Sequence, residues 1–342
     1  MLDTITVDVK RYRAADADDW DALVRRARAP HFLLLRGYMD YHADRFVDHS
    51  LVVREKGFAR ALLPATRVGD TVVSHGGLTF GGLVTDGKAS VARVIAWFDE
   101  IVAALKADGV TLLRYKPVPH IYHAVPAEDD LFALFRLGAR LTSRSPSTSI
   151  RQEQRLPYSK RRKAAVKRSH RLTVVRDLDL RGFWPVVEAR LLARHGVPPV
   201  HSASEIGLLA ERFPDQIKLF TARNEDGATL AGVVVFETEQ VAHAQYIATT
   251  DVGAESDALE AVFDHLLRDV YASKPWFDFG TSTERDGTLN FGLARNKESY
   301  GGRATMYDCY ELALDEVEQQ NASQLSRTAP ITAATASSPS CG

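Results

Sequence analysis

The chain has 342 residues, of which 45% are hydrophobic and 25% charged, and its formal net charge at pH 7 is -1. These values are typical of globular proteins and exclude a chain that attracts a polyanion by overall charge alone. Its two cysteines, Cys309 and Cys341, cannot form a disulfide framework or a zinc motif. The N-terminus lacks signal-peptide features, and no apolar run approaches the roughly 20 residues of a membrane helix. We therefore expect a cytoplasmic protein without a membrane span.

The first half of the chain predicts strands, then a helix, and then a further strand and helix. Segments 51–56, 59–66 and 71–74 are rich in small and β-branched apolar residues, which favour strands. Segment 89–107 has apolar residues at helical spacing and Gly109 just past its end, which predicts a helix. A strand at 110–115 and a helix at 128–137 follow.

The second half repeats this plan about 166 positions later (217 minus 51). The pattern predicts strands at 217–222, 230–236, 241–248, 276–279 and 304–312, and helices at 255–273 and 289–299. A repeat on this scale indicates two tandem α/β (α+β) domains, each a mixed sheet flanked by helices. We place them at residues 1–152 and 153–316, with a basic linker helix at 159–171. The composition of 317–342 predicts a disordered tail.

Residues 151–171 contain nine Lys or Arg and one Glu. Helical spacing aligns Lys160, Lys163, Lys167 and Arg171 along one side, with Arg161 next to them. Like charges at this spacing cost a few tenths of a kcal/mol per pair, which favours a role in binding an anion. Candidate anions are the phosphates of a cofactor, a nucleotide-sugar pyrophosphate or tRNA. The alternative is a solvated linker helix.

Segment 74–83 has four glycines in ten residues, so its backbone amides are free to face a ligand. It matches neither a P-loop nor a dinucleotide fingerprint. His75, Gly76 and Gly77 are candidate substrate-binding residues. A plain turn between a strand and the next helix is an equal interpretation.

Polar residues follow the short apolar strand at 276–279, where ligands of α/β sheets bind. Asp278 lies between two phenylalanines and is costly to bury unpaired, so it either anchors a loop or orients a substrate. Ser282 and Glu284 follow it and are candidate substrate ligands.

Two further candidates for chemistry lie in the second half of the chain. Lys297 and Arg303 cluster at a predicted helix end, where they either hold a phosphate or oxyanion or complement the helix dipole. Tyr246 lies on the third strand, where its hydroxyl either protonates a leaving group or simply packs. No HExxH, CxxC or Gly-x-Ser-x-Gly motif forms a credible site, so we expect no metal.

Five stretches together resemble the FemAB-like branch of the GNAT acyltransferase superfamily. Each is weak alone, and the resemblance rests on their order and spacing over roughly residues 30–312. The stretches are Tyr38–Phe46, Ser74–Val84, Lys160–Arg171, Phe277–Gly280 and Lys297–Gly302.

The resemblance implies two GNAT-like domains and an N-acyltransferase whose donor is acyl-CoA or aminoacyl-tRNA. The implied acceptor is an amine of a peptidoglycan precursor, a cell-envelope sugar, for instance as a nucleotide sugar, or a small natural product. Lys297 corresponds to a phosphate-contacting lysine of the peptidoglycan relatives, and Tyr38 joins the substrate-binding candidates. We take Tyr246, Asp278 and Lys297 as the candidate catalytic residues. The oligomeric state is not indicated.

The stretch Thr249–Ser256 departs from the pattern of ordinary acetyl-CoA enzymes of the superfamily. They hold pyrophosphate on a glycine-rich loop at this point, whereas this stretch has one glycine and two acids. Carboxylates oppose anion binding at a helix N-terminus, so the usual acetyl-CoA pose is disfavoured. The alternative function is a catalytically degenerate GNAT pair that binds a nucleotide or RNA.

Overall fold

The computed structural model describes residues 7–284 and 286–317. The strands of the first half are β1 (Val7–Arg11), β2 (Val47–Asp48), β3 (Leu51–Glu55), β4 (Phe58–Leu63), β5 (Thr66–Val68), β6 (Thr71–Val73), β7 (Val84–Thr85), β8 (Leu112–Tyr115) and β9 (Arg140–Arg151). Its helices are α1 (Ala17–Arg25), α2 (Arg36–Met39), α3 (Val91–Ala107) and α4 (Asp129–Arg136). α3 is the predicted helix 89–107, and the side chain of Ser90 caps it by accepting a hydrogen bond from the backbone N–H of Arg93.

The second half continues the series with longer strands. Its helices are α5 (Lys160–Arg168), α6 (Leu180–His195), α7 (Ala203–Arg212), α8 (Asp251–Glu255), α9 (Ala258–His265) and α10 (Phe291–Glu298). Its strands are β10 (Thr173–Asp177), β11 (Ile217–Arg223), β12 (Thr229–Glu237), β13 (Val241–Thr249), β14 (Trp276–Thr281) and β15 (Arg303–Ala313). The predicted helix 255–273 begins after Asp257, whose left-handed φ of 56° separates α8 from α9, and it continues as a π-helical turn at Leu266–Val270. Residues 318–342 of the predicted tail lie outside the described residues.

The strands form two sheets flanked by helices, which confirms the predicted mixed α/β class. The larger sheet has eleven strands in the order β10-β11-β12-β13-β14-β9-β15-β8-β6-β5-β2. The smaller sheet has the order β1-β3-β4-β7. Over the residues that the structure describes, no helix is long and apolar enough to cross a membrane.

The last strand of each half pairs with the other half. β9 lies between β14 and β15, and β15 also pairs with β8 of the first half, from Tyr310 opposite Tyr115 to Ala313 opposite Leu112. The predicted division at residue 152 therefore marks a boundary in the sequence. It is not a boundary in the larger sheet, because strands of both halves pair within that sheet. The domain limits stay a prediction.

An apolar core fills the seam between the halves. Trp20, Leu34 and Tyr38 of the first half are buried in the same cluster as Trp184 and Tyr246 of the second half. A second core lies beneath α3 and α4, and a third lies beneath α9. Because burying apolar surface contributes roughly 25 cal/mol per Å², the seam core stabilises the association of the two halves.

Each half contains one parallel strand pair that separates after three positions. β13 and β14 are paired from Val241 opposite Trp276 to His243 opposite Asp278, and they diverge beyond this point. β6 and β8 are paired in the same way from Thr71 opposite Leu112 to Val73 opposite Arg114. The repeated plan thus places one opening in each half of the sheet.

Gly301→Ala is expected to lower the free energy of unfolding by roughly 2–5 kcal/mol. Gly301 has a φ of 93°, and an added Cβ would collide with the carbonyl oxygen of Leu156. Gly227→Ala is the matched control, because Gly227 has a φ of 81° with nothing within 4 Å of an added Cβ. It should cost only about 1 kcal/mol. Urea unfolding measures both, and equal losses would show that the approach to Leu156 is not tight.

Candidate active site

A cavity of about 330 Å³, the cleft cavity, lies where β13 and β14 separate. Both strands, together with α6, α9 and α10, line it through Ile247, Phe279, Arg190, Arg194, Phe263 and Lys297. Because α6 and α9 pack on opposite faces of this part of the sheet, the cavity extends through the gap between the strands. An elongated ligand can therefore pass between β13 and β14.

Lys297 is a buried cation at the wall of the cleft cavity. Its ammonium donates hydrogen bonds to the carbonyl oxygens of Gly280 (2.8 Å) and Thr281 (2.7 Å). Burial lowers its pKa to about 8, and the nearby carboxylate of Asp278 opposes that shift. An ammonium has three N–H donors, so one remains for a ligand in the cavity.

Asp278 is fully buried and accepts four hydrogen bonds. The donors are Ser147 Oγ (2.5 Å), His243 Nδ1 (2.8 Å), Tyr307 OH (2.7 Å) and the amide of Gly280 (3.3 Å). Burial raises the pKa of Asp278, but its bond to His243 and the other side-chain bonds outweigh this and hold the pKa below its usual value. The predicted role of loop anchor fits this geometry. Asp278 is not among the residues that line the cleft cavity.

A larger cavity of about 730 Å³, the arginine cavity, adjoins the cleft cavity. The two share Glu260, Gly292 and Asn296. Five arginines line it, against three carboxylates, and these arginines are Arg161, Arg162, Arg168, Arg295 and Arg303. The excess of positive charge suits a phosphate-bearing ligand.

The arginines differ in how far they are already paired. Arg168 binds Asp257 (2.7 Å), and Arg162 binds Glu260 and lies 3.9 Å from the ring centroid of Tyr300. Within residues 7–284 and 286–317, Arg161 and Arg295 have no ion-pair partner. Arg162 thus fixes α5 against α9 and the turn after α10, while Arg161 and Arg295 are available to an anion.

The predicted basic stripe lies on the outer side of α5. Lys160, Lys163, Lys167 and Arg171 are exposed, and none lines the cleft cavity or the arginine cavity. The reason is that Arg162, Ala165, Val166 and Ser169 form the buried face of the segment. Of the predicted anion-binding set, only Arg161 reaches a cavity, and anion binding by the stripe stays a prediction.

Tyr246 and Tyr38 lie in the seam core and not in the cleft. The hydroxyl of Tyr246 bonds to Nδ1 of His201, and the hydroxyl of Tyr38 lies 3.5 Å from Nε2 of the same ring. Burial raises the pKa of both phenols. The structure therefore favours the packing interpretation of Tyr246, and it provides no contact from Tyr38 to the cavities.

The glycine segment is folded into the first half. An added Cβ would lie 2.8 Å from Thr66 Oγ1 at Gly76 and 2.5 Å from His42 Nε2 at Gly77. The ammonium of Lys116 binds the carbonyl oxygen of His75 (2.8 Å), and burial lowers the pKa of the His75 imidazole to about 3. These contacts fit the plain-turn interpretation, and substrate binding by the segment stays a prediction.

Two of the remaining predicted substrate ligands, Ser282 and Glu284, both accept hydrogen bonds from Asn290. Ser282 is buried, and its amide donates to the carbonyl oxygen of Pro146 (3.0 Å). Glu284 is exposed and accepts a bond from Asn290 (2.6 Å). Arg303 lines the arginine cavity, and Ser282 directly follows Thr281, whose carbonyl oxygen accepts a hydrogen bond from Lys297.

The stretch Thr249–Ser256 stands where related enzymes have a glycine-rich pyrophosphate loop, and two of its backbone amides are already hydrogen-bonded within the protein. The amide of Thr250 donates to Leu230, and the amide of Gly253 donates to the Thr250 hydroxyl (3.0 Å). Asp251 adds a carboxylate in the first turn of α8. The geometry agrees with the expectation that an anion is not held here in the usual way.

Several residues of the site have no signal in the sequence. His243, Ser147 and Tyr307 meet Asp278 from three different strands, and Arg190 and Arg194 reach the cleft from α6. Alternation along β13 gives no signal for His243, because His243 and Tyr246 are three positions apart and the register of β13 shifts between Ala244 and Tyr246. In the described part of the chain, no group of three or more metal-ligating side chains lies together.

We expect the free energy of unfolding of the wild type to rise with pH above about pH 8, and Lys297→Met should reduce this rise. The pKa of Lys297 is about 8 in the folded protein, against about 10.4 in an unfolded chain. The folded state then binds fewer protons in this window, so the free energy of unfolding rises with pH. The variant should lose about 1–3 kcal/mol of this rise, measured by urea unfolding from about pH 7 to about pH 10. Lys163→Met, at an exposed position of α5, should retain the wild-type slope, and an identical slope in Lys297→Met would contradict the burial of its charge.

Comparison with known proteins supports the same fold. Residues 152–286 match the family model described as Acetyltransferase (GNAT) domain, a span that includes both strands of the cleft. No curated protein sequence matches the chain. The structure of FemX has a TM-score of 0.64 at 12% identity, covering 92% of this chain and 99% of that one.

Two further solved structures cover most of the chain. The C-terminal domain (DUF2156) of a putative lysylphosphatidylglycerol synthetase from Agrobacterium fabrum has a TM-score of 0.57 at 14% identity, covering 91% of this chain and 96% of that one. L-PGS from Bacillus licheniformis has a TM-score of 0.52 at 13% identity, covering 73% and 80%. At such identities the likeness establishes the fold. The chain therefore shares the fold of FemX over most of its length, and its residues 152–286 match the GNAT domain model.

Proposed function

We propose that the chain is an N-acyltransferase whose acyl donor lies in the cleft between β13 and β14. The observation that carries this proposal is that two cavities adjoin and share Glu260, Gly292 and Asn296 in their walls. The cleft cavity opens between two parallel strands, and it adjoins a cavity with five arginines. The reacting carbonyl occupies the cleft, and the phosphates of the donor occupy the arginine cavity.

The donor is a phosphate-bearing ester or thioester, either an acyl-CoA or an aminoacyl-tRNA. Arginine side chains bind phosphate through paired N–H groups, which compensates for the amides that α8 and its preceding loop have already used. Arg161 and Arg295 carry the main interaction because their charges are not committed to a carboxylate. Arg303 adds a third cation.

Lys297 stabilises the oxyanion that forms when an amine attacks the donor carbonyl. Two of its N–H groups bind Gly280 and Thr281, which aims the third at the cleft. Such a fixed donor in a site with little water lowers the barrier more than the same contact would in bulk water. Since its pKa is about 8, Lys297 is charged at neutral pH.

The acceptor is an amine of a peptidoglycan precursor, a cell-envelope sugar or a small natural product. The structural likeness to FemX and to the C-terminal domain of a putative lysylphosphatidylglycerol synthetase supports aminoacyl transfer among the possible reactions. A reaction of this kind, on a donor made in the cytoplasm, agrees with the predicted cytoplasmic location. The exposed stripe of α5 favours tRNA as a second candidate ligand.

If the donor binds in the arginine cavity, substitutions there should weaken donor binding, and substitutions in the basic stripe should not. Arg295→Ala with Arg303→Ala is expected to weaken donor binding about 10-fold or more for each arginine removed. Lys163→Ala with Lys167→Ala is the matched control, because it removes the same charge from the outer face of α5. Titration with acetyl-CoA and with a mixed aminoacyl-tRNA pool measures the dissociation constants, and melting temperature checks the folding of each variant.

Which of the two double variants loses donor binding decides between an acyltransferase and a module that binds RNA. Loss of binding in the arginine variant alone, with acyl transfer by the wild type, supports the proposal. Loss in the stripe variant alone, with steep salt dependence and no transfer, would support the alternative, a degenerate GNAT pair that binds RNA.

A further inference from the structure

We propose that His243 accepts the proton of the attacking amine and that Asp278 is its positioning residue. His243 and Asp278 form the last parallel pair of β13 and β14 before the strands separate. The imidazole is not among the lining residues of the cleft cavity, but it lies next to Gly280, whose carbonyl oxygen accepts a hydrogen bond from Lys297 at the cavity wall. This inference rests on the acyltransferase proposed above.

The two nitrogens of His243 have different surroundings. Nδ1 lies 2.8 Å from Oδ2 of Asp278, and a carboxylate can only accept, so Nδ1 carries the hydrogen. Nε2 has no hydrogen-bond partner among residues 7–284 and 286–317, and the side chain is 14% exposed. The ring thus offers an accessible lone pair, which a general base requires.

Asp278 is held so firmly that the imidazole has one orientation. Ser147 of β9 binds Oδ1, while Tyr307 of β15 binds Oδ2. The hydroxyl of Tyr122 lies 3.1 Å from that of Tyr307 and extends the network into the first half. An anchor with three side-chain donors from separate strands resists rotation of the carboxylate, and this preorganises His243.

The other titratable groups around the pair do not compete for the proton. Burial lowers the pKa of His31, which precedes α2, to about 3. Burial raises the pKa of Tyr122 and of Tyr307 well above the usual value. These three groups are uncharged at neutral pH, whereas Lys297 on α10 and Arg190 and Arg194 on α6 bring positive charge to the cleft cavity.

Gly280 lies between the imidazole of His243 and the ammonium of Lys297. An added Cβ at Gly280 would lie 3.5 Å from Cε1 of His243, and the carbonyl oxygen of Gly280 accepts from Lys297. Its φ of 78° is a conformation that favours glycine. The proton acceptor and the oxyanion donor therefore flank the same point of the cleft.

The proposed step is balanced as follows. The amine nitrogen attacks the carbonyl carbon, and a C–N bond forms while an N–H proton passes to Nε2 of His243. The tetrahedral intermediate then loses the C–S bond of a thioester or the C–O bond of an ester. The imidazolium returns its proton to the departing thiolate or alkoxide, so His243 is neutral again and no other reactant is needed.

The first test uses the ligand-free full chain with isotope-labelled histidine. Nitrogen NMR, assigned with His243→Gln, is expected to show the proton of the neutral His243 ring on Nδ1. Asp278→Asn should abolish that preference, because the amide does not require a donor as the carboxylate does. A proton on Nε2 in the wild type would overturn the proposal without any substrate.

The second test compares two amines with acetyl-CoA and with a mixed aminoacyl-tRNA pool as donors. His243→Gln is expected to lower kcat about 100-fold or more with an alkyl amine, and the pH profile should retain only the acid limb that protonation of the amine itself produces. The donor KM should not change. The loss should be smaller with hydroxylamine, because its lower basicity makes the N–H proton of the intermediate easier to lose without a base. His265→Gln is the control, because His265 also pairs with an aspartate, Asp269 (2.8 Å), but on the surface of α9.

The outcomes separate the two proposals. Transfer by the wild type together with an unchanged rate and pH profile in His243→Gln would overturn the role of His243 and leave the acyltransferase standing. No transfer by the wild type from either donor would overturn both.

Discussion

The pairing of β9 with β15 is the constraint on which the rest of the structure depends. It runs from Arg303 opposite Ser149 to Glu311 opposite Arg140, with one bulge. Each strand ends one half of the chain, yet β9 also pairs with β14 and β15 also pairs with β8. One sheet therefore passes through both halves, and the pair brings Ser147 and Tyr307 to the buried carboxylate of Asp278.

Both halves contain a parallel strand pair that separates after three positions, but the two openings differ. In the first half the chain beyond β6 folds back over the opening, where Lys116 binds the carbonyl oxygens of His75 and Leu78. In the second half the opening between β13 and β14 retains a cavity with Lys297 at its wall. A doubled fold with one filled and one open cleft supports a single working site, whose supporting side chains come from both halves.

The sequence predicts the elements well because their signals are local. The apolar spacing of α3 and the Phe-Asp-Phe strand required no tertiary information. The partners of Asp278 were not predictable, since His243, Ser147 and Tyr307 come from strands that only the completed sheet brings together. The buried face of the basic helix α5 was likewise not predictable from the sequence. Spacing predicts which charges align, but the contacts of Arg162 with Glu260 and Tyr300 decide which face turns inward.

A crystal structure with a stable donor analogue would locate the donor. The analogue would be a CoA thioether, or a short 3′-terminal RNA with an amide-linked amino acid, whichever raises the melting temperature. We expect its carbonyl between β13 and β14, near Lys297 and His243, and its phosphates beside Arg161, Arg295 and Arg303. A donor bound in the first half between β6 and β8, or along Lys160, Lys163 and Lys167, would contradict the site described here.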